Sequence, residues 1–222
     1  MKKGFGFQKK AVKNLWFLLV LAFLLFSEGC KPPSQPKLQV FGDKVIYHKT
    51  VGNEQLADTF TALLPPFRFV DQNSDTISEE NVAQKVFVAD FFFTHCPSIC
   101  PKMKAELLKI NTAYGNRNDF AILSYSIDPL RDSVAVLRKY AEKLGISNAN
   151  WHFLTGNKDS IYALADHYLA YAQEDPGAAG GFIHDGNFIL VDKKRRIRGY
   201  YDGTTDEGTE RLLQDIKTLF NE

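Results

Sequence analysis

The stretch VFVADFFFTHCPSICPKM, residues 86–103, decides the fold. Its opening, residues 86–94, is continuously apolar and β-prone, as a strand covered on both faces would be. Two cysteines follow, Cys96 and Cys100, each directly before a proline. Over residues 99–113, Ile99, Met103, Leu107, Ile110 and Ala113 recur at helical spacing, and Gly115 lies just beyond. Strand, cysteine-bearing turn and helix therefore succeed one another directly. Cys96 falls in the turn and Cys100 near the helix start, where Pro97 and Pro101 suit first-turn positions that need no donor. The carboxyl end of a strand is where α/β sheets bind ligands. A helix start, with free N–H groups and a positive dipole end, favours thiolate over thiol.

Outward from this stretch the chain alternates strand-like and helix-like segments. Residues 120–128, FAILSYSID, read as the next buried strand, and Asp132 or Ser133 caps a helix that runs to Leu144 and stops at Gly145. A short strand at 151–154 precedes a helix over 158–167, and LAYAQ at 169–173 reads as a further strand. FILVD and RIRGYYD, within 188–202, predict a hairpin turning at Lys193 and Lys194, and 205–220 is a closing amphipathic helix. Residues 67–70 with DQNSD predict a strand and turn entering the domain, and VFGDKVIYH, 40–48, predicts a short hairpin around Gly42 and Asp43. Such alternation from about residue 65 is the pattern of an α/β fold with a mostly parallel sheet, and 222 residues suffice for one domain with a full core.

The amino-terminal segment reads differently. Lys2, Lys3, Lys9, Lys10 and Lys13 precede an apolar run at 15–26, followed by Ser27, Glu28, Gly29 and Cys30. Basic, then apolar, then cleavable is the order of an export signal. As a helix the apolar run spans roughly 18 Å against a hydrocarbon core of about 30 Å, which disfavours a permanent membrane span. FSEGC resembles a bacterial lipoprotein signal, in which the cysteine receives lipid, although Ser27 and Glu28 depart from the usual residues. Residues 1–29 are thus expected to be a lipoprotein-type signal peptide, with lipidation at Cys30; an uncleaved anchor or ordinary secretion are the alternatives. Residues 30–64 would be the lipid-anchor tether, proline-rich in KPPSQPK at 31–37, plus the amino-terminal hairpin. Residues 65–222 are the domain, expected on the extracytoplasmic side of the cell envelope.

Assigning Cys30 to the anchor leaves one thiol pair, Cys96 and Cys100. In an oxidising compartment that pair becomes a disulfide unless a reductant or a metal holds it otherwise. Removal of residues 1–29 takes five lysines and one glutamate from the 27 basic and 26 acidic residues, leaving 22 and 25, a formal charge of −3. A mildly acidic body without basic clusters argues against nucleic acid. With only Met1 and Met103 present, a methionine-rich surface for soft metal ions is excluded.

Three fates are open to the pair. A stabilising disulfide gains little, because so small a loop costs the unfolded chain little entropy. A redox pair normally has two intervening residues, whereas this chain has three. A metal chelate needs a further donor, and thiolates favour Cu(I) while imidazole also tolerates Cu(II). Of the five histidines, His95 reads as structural or supporting, and His48, His152 and His167 as surface or core residues. His184 follows the glycine-rich PGAAGGF loop, from which a ligand could swing toward the cysteines.

FFFTHCPSICPKM, then SIDPLRD, then a late histidine before ILVDKKRRIRGYYDG resembles the Sco/SenC family of copper proteins, over residues 65–220. The resemblance implies a thioredoxin-like fold, a central mixed sheet flanked by helices. It also implies a copper ion bound by Cys96, Cys100 and His184, with Asp128 touching oxidised copper or tuning the thiols. Three departures from the family pattern stand out: Asp185 and Gly186 after the histidine, an unusually small-residued GAAGG loop, and no proline after the RD of SIDPLRDSV. The implied function is a membrane-anchored metallochaperone that serves the dinuclear copper centre on the copper-site subunit of a respiratory oxidase. The alternative is a thiol-disulfide oxidoreductase that keeps the partner's cysteines reduced, with Cys96 attacking and Cys100 resolving, recharged by a thiol reductant of the same compartment. A peroxide-reducing enzyme fits poorly, since it needs one activated thiolate with a nearby arginine.

Overall fold

The computed structural model describes residues 37–51 and 54–222. The signal, Cys30 and most of the tether lie outside the described residues. No helix among the described residues is long and apolar enough to cross a membrane.

The strand that opens the decisive stretch is β5, Val86–Phe92, and every residue of it is buried. It pairs in parallel with the equally buried β6, Phe120–Ser126, which pairs in parallel with β7, Trp151–Leu154. On the other side β5 takes β10, Asn187–Val191, antiparallel, and β10 takes β11, Ile197–Asp202, antiparallel. The central sheet thus has the order β11-β10-β5-β6-β7 and is mixed. Among the described residues four α-helices accompany it: α1, Cys100–Tyr114; α2, Val134–Lys143; α3, Lys158–His167; and α4, Asp206–Phe220. The continuous apolar runs of β5 and β6 follow from this cover on both faces. On one face Phe92 meets Tyr140 of α2 and Phe153 of β7. On the other, Phe91 and Tyr125 stack and Tyr168, just after α3, packs against both. Helices α1 and α4 are joined by Tyr114, whose hydroxyl donates to the Leu213 carbonyl and whose ring packs against Phe220.

Strand β3, Arg68–Val70, pairs with β4, Thr76–Ser78, as the strand and turn at 67–75 predicted. Three expectations need correction. The hairpin read around Gly42 and Asp43 is displaced: β1, Lys44–Val51, pairs with β2, Glu54–Thr61, while Phe41 bridges Ile197. Gly42 has a φ of 123°, so it serves a bend before the strand and not a hairpin turn. The strand expected at 169–173 begins later, because Leu169 takes a left-handed φ of 54° at the end of α3; β8, Ala172–Glu174, pairs with β9, Phe182–His184. At the start of α2, Ser133 occupies the cap position without a side-chain hydrogen bond, and Asp132 is turned elsewhere, as described next.

Candidate metal centre

Strand β5 hands directly into the site. Beyond it, Thr94 donates through its backbone N–H and its hydroxyl to the Asp132 carboxylate, which also accepts from the Ser126 hydroxyl at 2.6 Å. Asp132 is fully buried, so one carboxylate clamps the end of β5 to the end of β6 and fixes the turn that carries Cys96. The turn closes as the Cys96 N–H donates to the Phe93 carbonyl at 3.3 Å, and α1 begins with Pro101 in its first turn. The residue at the cap position of α1, Ile99, offers no side-chain acceptor. The backbone N–H groups of Ser98 and Cys100 instead lie near the Cys96 sulfur and favour its ionised form.

His184 arrives from the other end of the chain. It is the last residue of β9, held opposite Ala172 of β8, and it is buried rather than carried on a mobile loop. Its Nδ1–H donates to the Asp185 carbonyl at 2.7 Å, which fixes the tautomer and leaves the Nε2 lone pair facing inward. Nε2 lies 3.2 Å from the Cys100 sulfur and 4.0 Å from the Cys96 sulfur. The three donor atoms all lie within 4.8 Å of one another. Bonds of about 2.0 to 2.3 Å from a soft first-row ion to imidazole and thiolate would set such donors nearly 4 Å apart, so the cluster is sized for one ion. Its chemistry, two sulfurs and an imidazole, suits copper.

The glycine-rich loop serves packing. Phe93 sits edge-on to His184 and packs against Phe182 with ring centres 5.1 Å apart. Gly180 has a φ of 84°, and a Cβ there would stand 2.7 Å from the Phe93 ring. The small residues let the loop lie on Phe93 and so carry His184 to the sulfurs. Asp185, one of the departures from the family pattern, ties the histidine's strand to the segment before β8. Its N–H donates to the Tyr171 carbonyl, and its carboxylate accepts from the Tyr171 N–H. A shallow cavity of about 240 Å³ opens beside Cys96 and His184, walled by Ile99, Ala179, Phe182 and Ile183.

The two thiols are unequal. A hydrogen bond from Cys100, aided by the two backbone N–H groups, pulls Cys96 down to about 3 against the opposing effect of burial. Donating that bond, together with burial, pushes Cys100 up. The reduced pair therefore holds one shared proton on Cys100 and a thiolate at Cys96, which is also the less buried of the two.

The remaining candidates lie apart from the sulfurs. Asp128 is buried, but its carboxylate pairs with Arg131 at 3.2 Å and its carbonyl accepts from the N–H groups of Arg131 and Asp132; it is outside the cluster of donors. His95 is exposed and its ring meets the Thr94 hydroxyl, while His152 pairs with Asp71. His167 is exposed at the end of α3. Sequence reasoning passed over one element, the buried pair of Asp90 and Lys104 at 2.6 Å, one helical turn beyond Cys100. A charged residue inside the apolar run VFVADFFF was the available signal, since a buried carboxylate requires a partner.

Two thiols and an imidazole at the carboxyl end of a parallel strand, in a thioredoxin-like α/β frame, define a thiol-based metal or redox centre. The SCO1/SenC family model matches residues 56–221, and the chain belongs to that family. A SCO1/SenC family lipoprotein from Bacillus anthracis superposes with a TM-score of 0.64 at 28% identity, over 71% of this chain and 94% of that one. BsSco, a member of the Sco family of cytochrome c oxidase assembly proteins with an identified disulfide switch, gives 0.62 at 30% identity, over 71% and 92%. Yeast Sco1 with copper bound gives 0.56 at 26% identity, over 70% and 89%.

Proposed function

We propose that this protein is a membrane-anchored copper metallochaperone, binding copper through Cys96, Cys100 and His184 and delivering it to the dinuclear copper centre of a respiratory oxidase. The observation that carries this reading is the convergence of two sulfurs and an imidazole lone pair within 4.8 Å. The copper-bound yeast relative and the oxidase-assembly role of BsSco support the cargo and the destination. Copper is cargo here. Cu(I) exchanges readily between sulfur sites, and the shallow opening beside Cys96 leaves one side of the cluster reachable by a partner's ligands. Lipidation of Cys30, the extracytoplasmic location and the acceptor subunit belong to the same reading, with the Bacillus anthracis lipoprotein in support. Asp128 acts at a distance, by holding the 128–132 turn from which Asp132 reaches the site.

Anaerobic copper titration of the reduced protein, with absorption and spin-resonance spectra of wild type and His184→Ala, tests the proposal. One ion per chain with altered spectra in the variant is expected. Absence of binding would sink the chaperone, and unchanged binding in His184→Ala would sink the histidine ligand.

A second reading, thiol-disulfide oxidoreductase, is favoured by the inequality of the thiols. The Cys96 thiolate attacks a partner disulfide, forming a mixed disulfide and releasing one partner thiolate. Cys100, giving up its proton, then attacks Cys96 and releases the second. The pair loses the two electrons that the partner gains, and a thiol reductant of the same compartment restores it. Reduction of an oxidised partner peptide by the copper-free protein tests this, and an inert pair would exclude it.

A further inference from the structure

Five basic side chains gather where the chain enters the domain: Lys37, Lys193, Lys194, Arg196 and Arg198 line one cavity of about 290 Å³. Arg198 is its buried centre, donating to the Leu38 and Gln39 carbonyls. The nearby carboxylates are already engaged: Asp192 pairs with Arg196 and Arg198, and Glu222 pairs with Arg198. Among the described residues, Lys37, Lys193 and Lys194 make no ion pair, and Lys37 and Lys194 are exposed. The chain beyond residue 29 is net acidic by three charges, so this concentration of lysines at one end is a separation of charge and not a reflection of a basic protein.

Topology fixes where that end lies. Strand β10 runs antiparallel to β5, with Val191 opposite Phe87, so the 192–196 turn sits at the amino end of β5. Cys96 follows its carboxyl end. The lysines and the sulfurs therefore occupy opposite ends of the central sheet. The covalent path from Cys30 to Lys37, even fully extended, spans at most about 25 Å.

We propose that the patch of Lys37, Lys193 and Lys194 docks the domain on an anionic phospholipid surface, with the cysteine and histidine cluster directed away from it. This rests on the reading of Cys30 as a lipid anchor. A tether alone lets the domain tumble. Each lysine close to an anionic leaflet multiplies its residence there roughly fivefold, and three lysines beside the tether select one orientation, in which the copper donors face the aqueous side and its partners.

The test uses the full chain purified from membranes into nanodiscs of phosphatidylcholine alone or with about one third phosphatidylglycerol. Lysines are acylated with a water-soluble reagent and read by mass spectrometry. Several-fold slower modification of Lys37, Lys193 and Lys194 in the anionic discs is expected, abolished by high salt, with exposed Lys102 in the first turn of α1 unchanged. The Lys193→Glu/Lys194→Glu variant, altered only in a turn, should lose the protection of Lys37 while keeping its thermal unfolding temperature. Equal modification in both lipids, or equal protection by inorganic phosphate in zwitterionic discs, would overturn the docking proposal alone. An unacylated Cys30 in the same digest would overturn the anchor reading and this proposal with it.

Discussion

The Nε2 atom of His184 stands 3.2 Å from the sulfur of Cys100, although 84 residues separate them. The contact depends on the Asp185 carbonyl, which accepts a hydrogen bond from Nδ1–H and leaves Nε2 free to act as an acceptor or ligand. His184→Ala removes that donor without disturbing the backbone pairing of β9. Copper affinity is expected to fall by about tenfold or more, since even supporting contacts around a metal are worth about 10- to 100-fold. Competition titration against a Cu(I) chelator measures it, and an affinity within twofold of wild type would remove His184 from the site.

Cys96 is held as thiolate down to about 3, whereas Cys100 is shifted the other way. Folding therefore gains from the ionised Cys96, a contribution complete above the ordinary thiol range and lost as pH falls toward about 3. The contribution of protonated Cys100 is also stabilising but has the opposite pH dependence, complete below the ordinary thiol range and lost as pH rises above it. The reduced protein should be alkylated at Cys96 at a nearly constant rate between about pH 5 and pH 8, with Cys100 spared. Cys100→Ala removes the principal cause of the shift and should make the rate rise steeply with pH. Peptide mapping after timed alkylation checks both, and a wild-type rate that climbs like a free thiol would refute the asymmetry.

Asp132 unites Thr94 and Ser126 around one buried carboxylate. Asp132→Ala leaves three donors without their acceptor, and a loss of about 2 to 4 kcal/mol of unfolding free energy is expected. Asp132→Asn keeps one carbonyl oxygen and should lose less. Urea unfolding of the copper-free protein measures both. Equal losses would mean that charge and not hydrogen bonding dominates the clamp.

How far the sequence foretold this arrangement follows from the kind of information each feature needs. Periodicity located β5, β7, α3 and the β10–β11 hairpin, because burial on one or both faces writes itself into the local pattern. The cysteine pair was legible from its place between a strand and a helix. His184 was singled out by the loop before it, but its place in β9 depends on pairing with β8, a contact that no local pattern encodes. Gly42 suggests a hairpin turn near residue 40, whereas the chain there only bends toward Ile197. The local pattern marks Asp132 as a helix cap, but Thr94 and Ser126, distant in sequence, compete for the carboxylate and win.

The buried pair of Lys104 and Asp90 is the remaining electrostatic element near the sulfurs. Lys104 donates to Asp90 at 2.6 Å and to Ser124, lies 4.1 Å from the centre of the Phe92 ring, and is essentially excluded from water. Two charges removed from solvent repay their desolvation only in each other's company. Lys104→Met should therefore cost about 3 to 5 kcal/mol by leaving the Asp90 charge buried and unpaired, with only the Ser124 hydroxyl to donate to it. Adding Asp90→Val removes the orphaned charge, so the double variant should be more stable than Lys104→Met despite carrying one more substitution. Urea unfolding of the four proteins of this cycle gives the coupling directly. Strictly additive losses would show that the two side chains act independently. With coupling, the pair acts as a unit whose cation also favours the ionised form of Cys100, one turn back along α1, so the variants should lose part of their copper affinity in step with their loss of the lysine charge.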